Sequence, residues 1–259
     1  MLFSRQLFRF AVLVFLVFAS PAGAAETAGV VLLHGKQGSA DARLLRPLVA
    51  ALMREGCLVR TPEMPWSGAR IYDRTYEAAM EEIDAVVKEL RDSGAKKIFI
   101  GGQSLGANAA LYYAGRTEVD GVLALSPGHI PDVQTPEDSV TRAKRIIQAG
   151  RGDERASFED NNQGNRFTVQ TTAKIYLSYM DPDGPAVMPK SAAALKPGTP
   201  LLWVVGMRDP MSKRGRSYAF DKAPRHPLNR YVEIKGDHLS TPGDAVPEIL
   251  AWLRTVQNP

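Results

Sequence analysis

The fold is indicated by the stretch Lys97-Ile-Phe-Ile-Gly-Gly-Gln-Ser-Leu-Gly. Its first half is apolar, as in a buried strand, and residues 102–106 form the pattern G-x-S-x-G. Residues 107–114, which follow directly, predict a helix. A sharp turn from strand to helix leaves no room for side chains at the two glycines. We therefore expect Ser104 in a strained turn, with its hydroxyl at the sheet edge and at a helix N-terminus.

Outward from this stretch, apolar strands alternate with amphipathic helices. The strand candidates are residues 29–34, 58–59, 97–101, 120–125, 200–205 and 230–234, and the helix candidates are residues 41–54, 76–92, 107–114 and 245–256. Alternation of this kind is typical of parallel sheets whose two faces are covered by helices. The sequence therefore predicts an α/β fold with a mostly parallel sheet and helices on both faces.

The alternation stops at about residues 130–197, which are polar and rich in Pro, Asp, Asn and Gly. Thr135 and Pro136 predict the N-cap and first position of a helix that reaches Gln148, and residues 173–179 predict another element. Apolar anchors favour a cap over the active site rather than disorder. Four of its side chains are candidates for packing onto the body or lining an acyl pocket: Phe167, Tyr176, Tyr179 and Met180.

The N-terminus has the pattern of a secretory signal peptide. Arg5 and Arg9 precede an apolar run at residues 10–18, and Ala22-Gly-Ala follows as a cleavage pattern. We expect cleavage after Ala24, which leaves residues 25–259 as one domain without a membrane span, in the periplasm or secreted. The alternative is an uncleaved membrane anchor.

Composition excludes several classes of partner and cofactor. The net charge is +4, and two of the arginines responsible lie in residues 1–24. Lysines and arginines are scattered and form no basic stripe, so we expect no nucleic-acid partner. Cys57 is the single cysteine, and no His, Cys or Asp cluster has ligand spacing, so we expect no metal and no cofactor. The oligomeric state stays open at this stage.

Candidate catalytic residues follow three strands of the predicted sheet. Parallel sheets place their sites beyond the carboxyl ends of their strands. Ser104 follows the strand at 97–101, Asp209 the strand at 200–205, and His238 the strand at 230–234. Asp181 and Asp183 are alternatives to Asp209, but they lie in the predicted cap and follow no clear strand of the sheet.

The loop after the first strand, His34-Gly-Lys-Gln-Gly, is a candidate for half of an oxyanion hole. Its glycines allow backbone N–H groups to turn inward. The N–H groups of Leu105 and of Lys36 are the expected donors to a developing oxyanion, with Gln37 as the alternative to Lys36. We interpret His34 itself as structural.

In these residues and their order, the chain resembles the α/β-hydrolase superfamily, whose nucleophile, acid and base follow the order Ser104, Asp209, His238. The resemblance covers nearly all of residues 28–257 and looks closest to small bacterial esterases and dienelactone-hydrolase-like proteins. Many dienelactone hydrolases have Cys at the position of Ser104. The resemblance implies a serine hydrolase in which Ser104 attacks the carbonyl of a small-molecule ester, His238 accepts its proton and Asp209 orients the imidazole.

Two alternatives to an ester hydrolase remain open. The same three residues serve thioesterases, amidases and peptidases. A catalytically idle α/β-hydrolase fold that binds a ligand or partner belongs to a different class, and the presence of all three residues argues against it.

Overall fold

A computed structural model of the chain describes residues 27–258. Within this range the strands are β1 Ala28–Leu33, β2 Leu58–Arg60, β3 Lys97–Ser104, β4 Gly121–Pro127, β5 Arg155–Asn162, β6 Asn165–Thr172, β7 Leu201–Gly206 and β8 Arg230–Ile234. The α-helices are α1 Arg46–Arg54, α2 Tyr76–Asp92, α3 Leu105–Ala114, α4 Glu137–Gln148, α5 Ala173–Met180, α6 Met188–Ala193, α7 Thr241–Asp244 and α8 Val246–Gln257. Two short 3₁₀-helices span Pro210–Arg214 and Phe220–Lys222.

Six of the strands form one parallel sheet in the order β2-β1-β3-β4-β7-β8. Strands β1, β4 and β7 are buried along their whole length, because helices cover both faces of the sheet. Leu48 of α1 and Trp252 of α8 lie in the core on one face. Ile83 of α2 and Tyr113 of α3 lie in the core on the other. This architecture confirms the predicted α/β fold with a parallel sheet.

Two of the predicted helix starts that differ from the structure lie at prolines. Helix α1 begins at Arg46 rather than at residue 41, and Pro47 lies in its first turn. A proline in the middle of a helix would leave a carbonyl without its N–H partner and clash with the preceding turn, so Pro47 sets the start. Helix α4 begins at Glu137 with Pro136 as N-cap, because the Thr135 hydroxyl donates instead to the carbonyl oxygen of Pro131.

The segment predicted as a cap, residues 130–197, lies between β4 and β7 and holds α4, β5, β6, α5 and α6. Strands β5 and β6 form an antiparallel hairpin, which the sequence interpretation missed. Aromatic residues both hold the segment together and anchor it to the body. Tyr176 stacks on Phe158 with ring centroids 4.4 Å apart, and Tyr179 packs on Tyr72 at 4.5 Å.

The predicted signal peptide, residues 1–24, lies outside the described residues. From residue 27 onward, none of the helices combines the length and apolarity needed to cross a membrane.

Candidate active site

Ser104 is the last residue of β3 and directly precedes α3. Its backbone has φ 57° and ψ −120°, a strained conformation that L-residues rarely adopt. A Cβ at Gly102 would lie 2.4 Å from the carbonyl oxygen of Leu33, and one at Gly106 would lie 2.2 Å from the same atom. The end of β1 therefore approaches the turn so closely that both glycines of the G-x-S-x-G pattern are required, and the turn leaves the Ser104 side chain at the sheet edge.

A chain of two hydrogen bonds joins the three residues predicted as nucleophile, base and acid. His238 Nε2 lies 2.9 Å from Ser104 Oγ, and His238 Nδ1 lies 2.8 Å from Asp209 Oδ2. A carboxylate only accepts hydrogen bonds, so Nδ1 carries a proton and donates it to Asp209. In the neutral ring Nε2 then accepts from the Ser104 hydroxyl. This tautomer is the one that a general base for Ser104 needs.

Asp209 is held in place from two sides. Its side chain is buried, and Oδ1 accepts a hydrogen bond of 2.9 Å from the backbone N–H of Met211, at the start of the 3₁₀-helix Pro210–Arg214. Burial alone would raise the pKa of the Asp209 carboxyl, but the hydrogen bond from His238, the attraction of its protonated form and the hydrogen bond from the Met211 N–H together lower this pKa. Asp209 is therefore charged beside His238.

The two alternative acids lie elsewhere. Asp181 pairs with Lys144 at 3.1 Å, and the side chain of Asp183 is 88% exposed. Neither carboxylate is a hydrogen-bond partner of His238. The geometry therefore selects Asp209 as the group that can orient the imidazole.

Gln103, next to the candidate nucleophile, contacts both the loop that carries His238 and the loop after β1. Its Nε2 donates a hydrogen bond of 3.0 Å to the backbone carbonyl of His238. A Cβ at Gly35 would lie 2.4 Å from Gln103 Oε1, so the loop after β1 presses against the same side chain. Gln103 thus links the loop that carries His238 to the turn that carries Ser104.

The loop after β1 lies beside Ser104, as an oxyanion loop must. A Cβ at Gly35 would lie 3.1 Å from Ser104 Cβ. The N–H of Gln37 donates to the carbonyl of Trp66 at 2.8 Å and is not free for an oxyanion. Leu105 is the first residue of α3, where a backbone N–H has no partner within its own helix. Of the two alternatives in this loop, Lys36 therefore remains the candidate, together with Leu105.

The Lys36 side chain has a separate role that the sequence did not reveal. Its Nζ lies 2.6 Å from Asp160 Oδ1 and donates to the Asn161 carbonyl at 2.8 Å. Tyr72 Oη donates to the other oxygen of Asp160 at 2.7 Å. Burial lowers the pKa of Lys36, and the charge of Asp160 opposes this effect. This buried ion pair fastens the loop after β1 to the β5–β6 hairpin.

Two further histidines lie near the site. His34 Nε2 accepts from the Met64 N–H at 3.1 Å and Nδ1 donates to the Gly35 carbonyl, which agrees with a structural role. His129 Nε2 donates to the Tyr179 carbonyl at 2.8 Å. The pKa of His129 is lowered to about 3, mainly by burial and to a smaller extent by the positive charge of Lys36. The His129 ring is therefore neutral at physiological pH and adds no charge to the site.

A cavity of about 310 Å³ opens at Ser104 and His238. Gly128 lies against the nucleophile, since a Cβ there would stand 2.7 Å from Ser104 Oγ. Of the four aromatic and apolar cap residues considered above, Met180 lines the cavity, whereas the other three pack within the cap segment and onto the body. Much of the remaining wall comes from the turn of the hairpin and the segment after Asp209: Asp160, Asn161, Asn162, Gln163, Pro210, Met211 and Arg214.

One part of the cavity wall, the turn of the β5–β6 hairpin, is predictable from the sequence although the sequence interpretation did not include it. Residues 161–164 read Asn-Asn-Gln-Gly, and apolar residues alternate with polar ones on either side at Phe158, Phe167 and Val169. Turn residues between alternating segments are typical of a β-hairpin. The closeness of Gly128 and Arg214 to Ser104 has no comparable signal, because it depends on loops that meet only in the folded chain.

Comparison with known proteins defines the class. The sequence profile of the alpha/beta hydrolase family matches residues 30–249, and the chain belongs to that family. No curated protein sequence matches it significantly. Among solved structures it is similar to the monoacylglycerol lipase of Paleococcus ferrophilus, with 23% identity, a TM-score of 0.64, and coverage of 89% of this chain and 96% of that one.

Two further structures share the fold. One comes from a study of LipS and LipT, two metagenome-derived lipolytic enzymes, with 17% identity, a TM-score of 0.64, and coverage of 89% of this chain and 95% of that one. The other is a thioesterase domain of the curacin biosynthetic pathway, with 14% identity, a TM-score of 0.53, and coverage of 90% and 92%. The family defines a hydrolase of the α/β class and suggests a small-molecule substrate, and these structures share its fold.

Proposed function

We propose that this α/β hydrolase cleaves carboxylic esters through an acyl-enzyme on Ser104. The observation that carries the proposal is the chain from Ser104 Oγ to His238 at 2.9 Å and from His238 to Asp209 at 2.8 Å. A serine hydroxyl is a weak nucleophile until a neighbouring base accepts its proton, and His238 stands where that base is needed.

The reaction proceeds in two halves. As the Ser104 Oγ–carbonyl carbon bond forms, His238 Nε2 takes the hydroxyl proton, and the N–H groups of Leu105 and Lys36 hold the developing oxyanion. The ester C–O bond then breaks, and His238 returns the proton to the departing alkoxide. Water attacks the acyl-enzyme with His238 again as base, which releases the acid and restores Ser104.

Esters are the proposed substrates in preference to thioesters and amides. Two of the structurally similar proteins are described as lipolytic or as a lipase, and one as a thioesterase domain. The cavity of about 310 Å³ lies at the lower end of the range for small-molecule sites, which favours a small substrate.

The test compares wild type and Ser104→Ala on 4-nitrophenyl acetate and on the matched thioacetate and anilide, with a fluorophosphonate probe in parallel. We expect ester hydrolysis to fall by about a million-fold in Ser104→Ala, with folding unchanged and labelling lost. A variant that keeps more than a few per cent of the wild-type rate would refute Ser104 as nucleophile. Failure of the wild type to react with the probe would favour an idle binding protein.

We also propose that residues 1–24 direct export to the periplasm or beyond. The basic start, the apolar run and Ala22-Gly-Ala support this. Expression of the full chain in a Gram-negative host, followed by N-terminal sequencing of the fractions, tests it. A periplasmic or secreted product beginning at Ala25 is the expected outcome, and a membrane-bound product that retains Met1 would contradict it.

A further inference from the structure

Most of the charged side chains that line the active-site cavity already have a partner. Asp160 is paired with Lys36, and Asp209 accepts hydrogen bonds from His238 and from the Met211 N–H. His129 is neutral, since burial lowers its pKa to about 3. In the cavity wall as described over residues 27–258, Arg214 is the cation with no carboxylate within 4.0 Å of its guanidinium. The cavity wall therefore has one positive charge that no ion pair offsets.

Arg214 is held in a defined position relative to the candidate triad. It ends the 3₁₀-helix Pro210–Arg214, whose N-cap is Asp209, and the segment between them also lines the cavity. The guanidinium carbon lies 5.6 Å from the ring centroid of Tyr218, so an aromatic face supports it. A side chain placed in this way has less rotamer freedom to lose when it binds an anion.

One acidic group lies near this cation without neutralising it. Asp132 accepts hydrogen bonds of 2.9 and 3.2 Å from the Tyr218 hydroxyl, on the far end of the ring that Arg214 covers. Asp132 is exposed, lies outside the cavity wall and forms no ion pair with Arg214. The guanidinium N–H groups thus remain available to a ligand in the cavity.

We propose that the substrate is a small ester that carries a carboxylate, and that Arg214 is the specificity-determining residue that binds this carboxylate. The inference rests on the proposed function of Ser104. Guanidinium and carboxylate match in a planar, two-bonded geometry, and such charge-assisted bonds are stronger than neutral ones. The neutral amide side chains of Asn161, Asn162 and Gln163, which line the same cavity, add polar contacts without adding charge.

Two matched pairs of esters test the proposal and distinguish which half of the substrate carries the carboxylate. On the acyl side, 4-nitrophenyl hydrogen adipate is compared with 4-nitrophenyl methyl adipate. On the alcohol side, 4-acetoxybenzoate is compared with methyl 4-acetoxybenzoate. The measured quantity is the kcat/KM of the anionic ester divided by that of the neutral ester, for the wild type and for Arg214→Gln, Arg214→Lys and Lys213→Gln.

We expect the wild type to prefer the anionic ester of one pair, and Arg214→Gln to lower that preference about tenfold through KM, because one charge-assisted contact is lost. Arg214→Lys should retain part of the preference. Lys213→Gln removes an exposed neighbouring charge outside the cavity wall and should change the preference by less than about twofold, since salt screens exposed charges.

An equal preference in wild type and Arg214→Gln, or a wild type that favours the neutral ester in both pairs, would overturn the assignment of Arg214. A Ser104→Ala variant assayed on the neutral esters separates this failure from that of the proposed function. If neutral-ester hydrolysis depends on Ser104 and charge preference is absent, the substrate inference alone is wrong. If neutral-ester hydrolysis is independent of Ser104, the proposed function itself is wrong.

Discussion

The buried pair of Lys36 and Asp160 allows a quantitative prediction, because it joins two segments that are 124 residues apart in the sequence. The two side chains are 7% and 2% exposed, and Nζ lies 2.6 Å from Oδ1. The perturbation is Asp160→Asn, which removes the charge but keeps the shape and an oxygen that accepts from Tyr72. We expect the hairpin to lose its main attachment to the loop after β1.

The magnitude follows from the distance and the burial. At 2.6 Å and an effective dielectric constant of about 20, the attraction between unit charges is about 6 kcal/mol. Desolvation of the two ions offsets much of this attraction in the intact protein, but Asp160→Asn removes the attraction and leaves Lys36 buried. Removal of one partner from a buried pair lowers the free energy of unfolding by about 3–5 kcal/mol.

The loss of stability in Asp160→Asn should depend on pH. Burial lowers the pKa of Lys36, and the charge of Asp160 raises it, so Asp160→Asn must lower it further. The unfolded chain then binds a proton at Lys36 that the folded variant does not bind, and the variant gains stability as pH rises toward the unfolded pKa of about 10.5. We expect the difference from wild type to be smaller at about pH 9.5 than at pH 7.

Urea unfolding monitored by far-UV circular dichroism measures these differences. A double-mutant cycle with Lys36→Met, Asp160→Asn and both together isolates the pair, and we expect a coupling of at least about 2 kcal/mol. The matched control is the cycle on Lys88 and Asp92, whose side chains are 76% and 63% exposed. Exposed pairs of this kind couple by about 0.5 kcal/mol. Equal coupling in the two cycles would refute the reasoning.

Two further predictions concern the catalytic geometry. Asp209→Asn should lower turnover by about ten-thousand-fold, because the imidazole loses the partner that sets its tautomer, while Asp183→Asn stays near wild type; steady-state kinetics that reverse this order would move the acid into the cap. Gly128→Ala should displace Ser104 Oγ, which lies 2.7 Å from the new Cβ, and lower kcat by at least about 100-fold with little loss of stability. Gly152→Ala, whose Cβ meets side-chain atoms of Lys174 and Ile147 and none of Ser104, is its control, and equal rates in the two variants would contradict the prediction.

The sequence predicted those parts of the fold that depend on local chemistry. Helix α2 begins and ends where its apolar spacing and the residues at 93–94 indicated, because amphipathic periodicity and helix ends are local properties. The turn at Ser104 was equally predictable from the sequence, because a strand, two glycines and the start of a helix lie within about ten residues. The family resemblance then related Ser104, Asp209 and His238 to one another through their order in the chain.

The surroundings of these residues depend on contacts that only the folded chain forms. The sequence did not indicate that Asp160 would meet Lys36, that Gly128 would face Ser104 Oγ, or that Arg214 would line the cavity. These contacts form between loops that emerge from different strands at one edge of the sheet, and loop conformation depends on packing against distant segments. Local sequence therefore determined the turn that carries Ser104 and the helices around it, while long-range packing determined the charge and shape of the cavity beside Ser104.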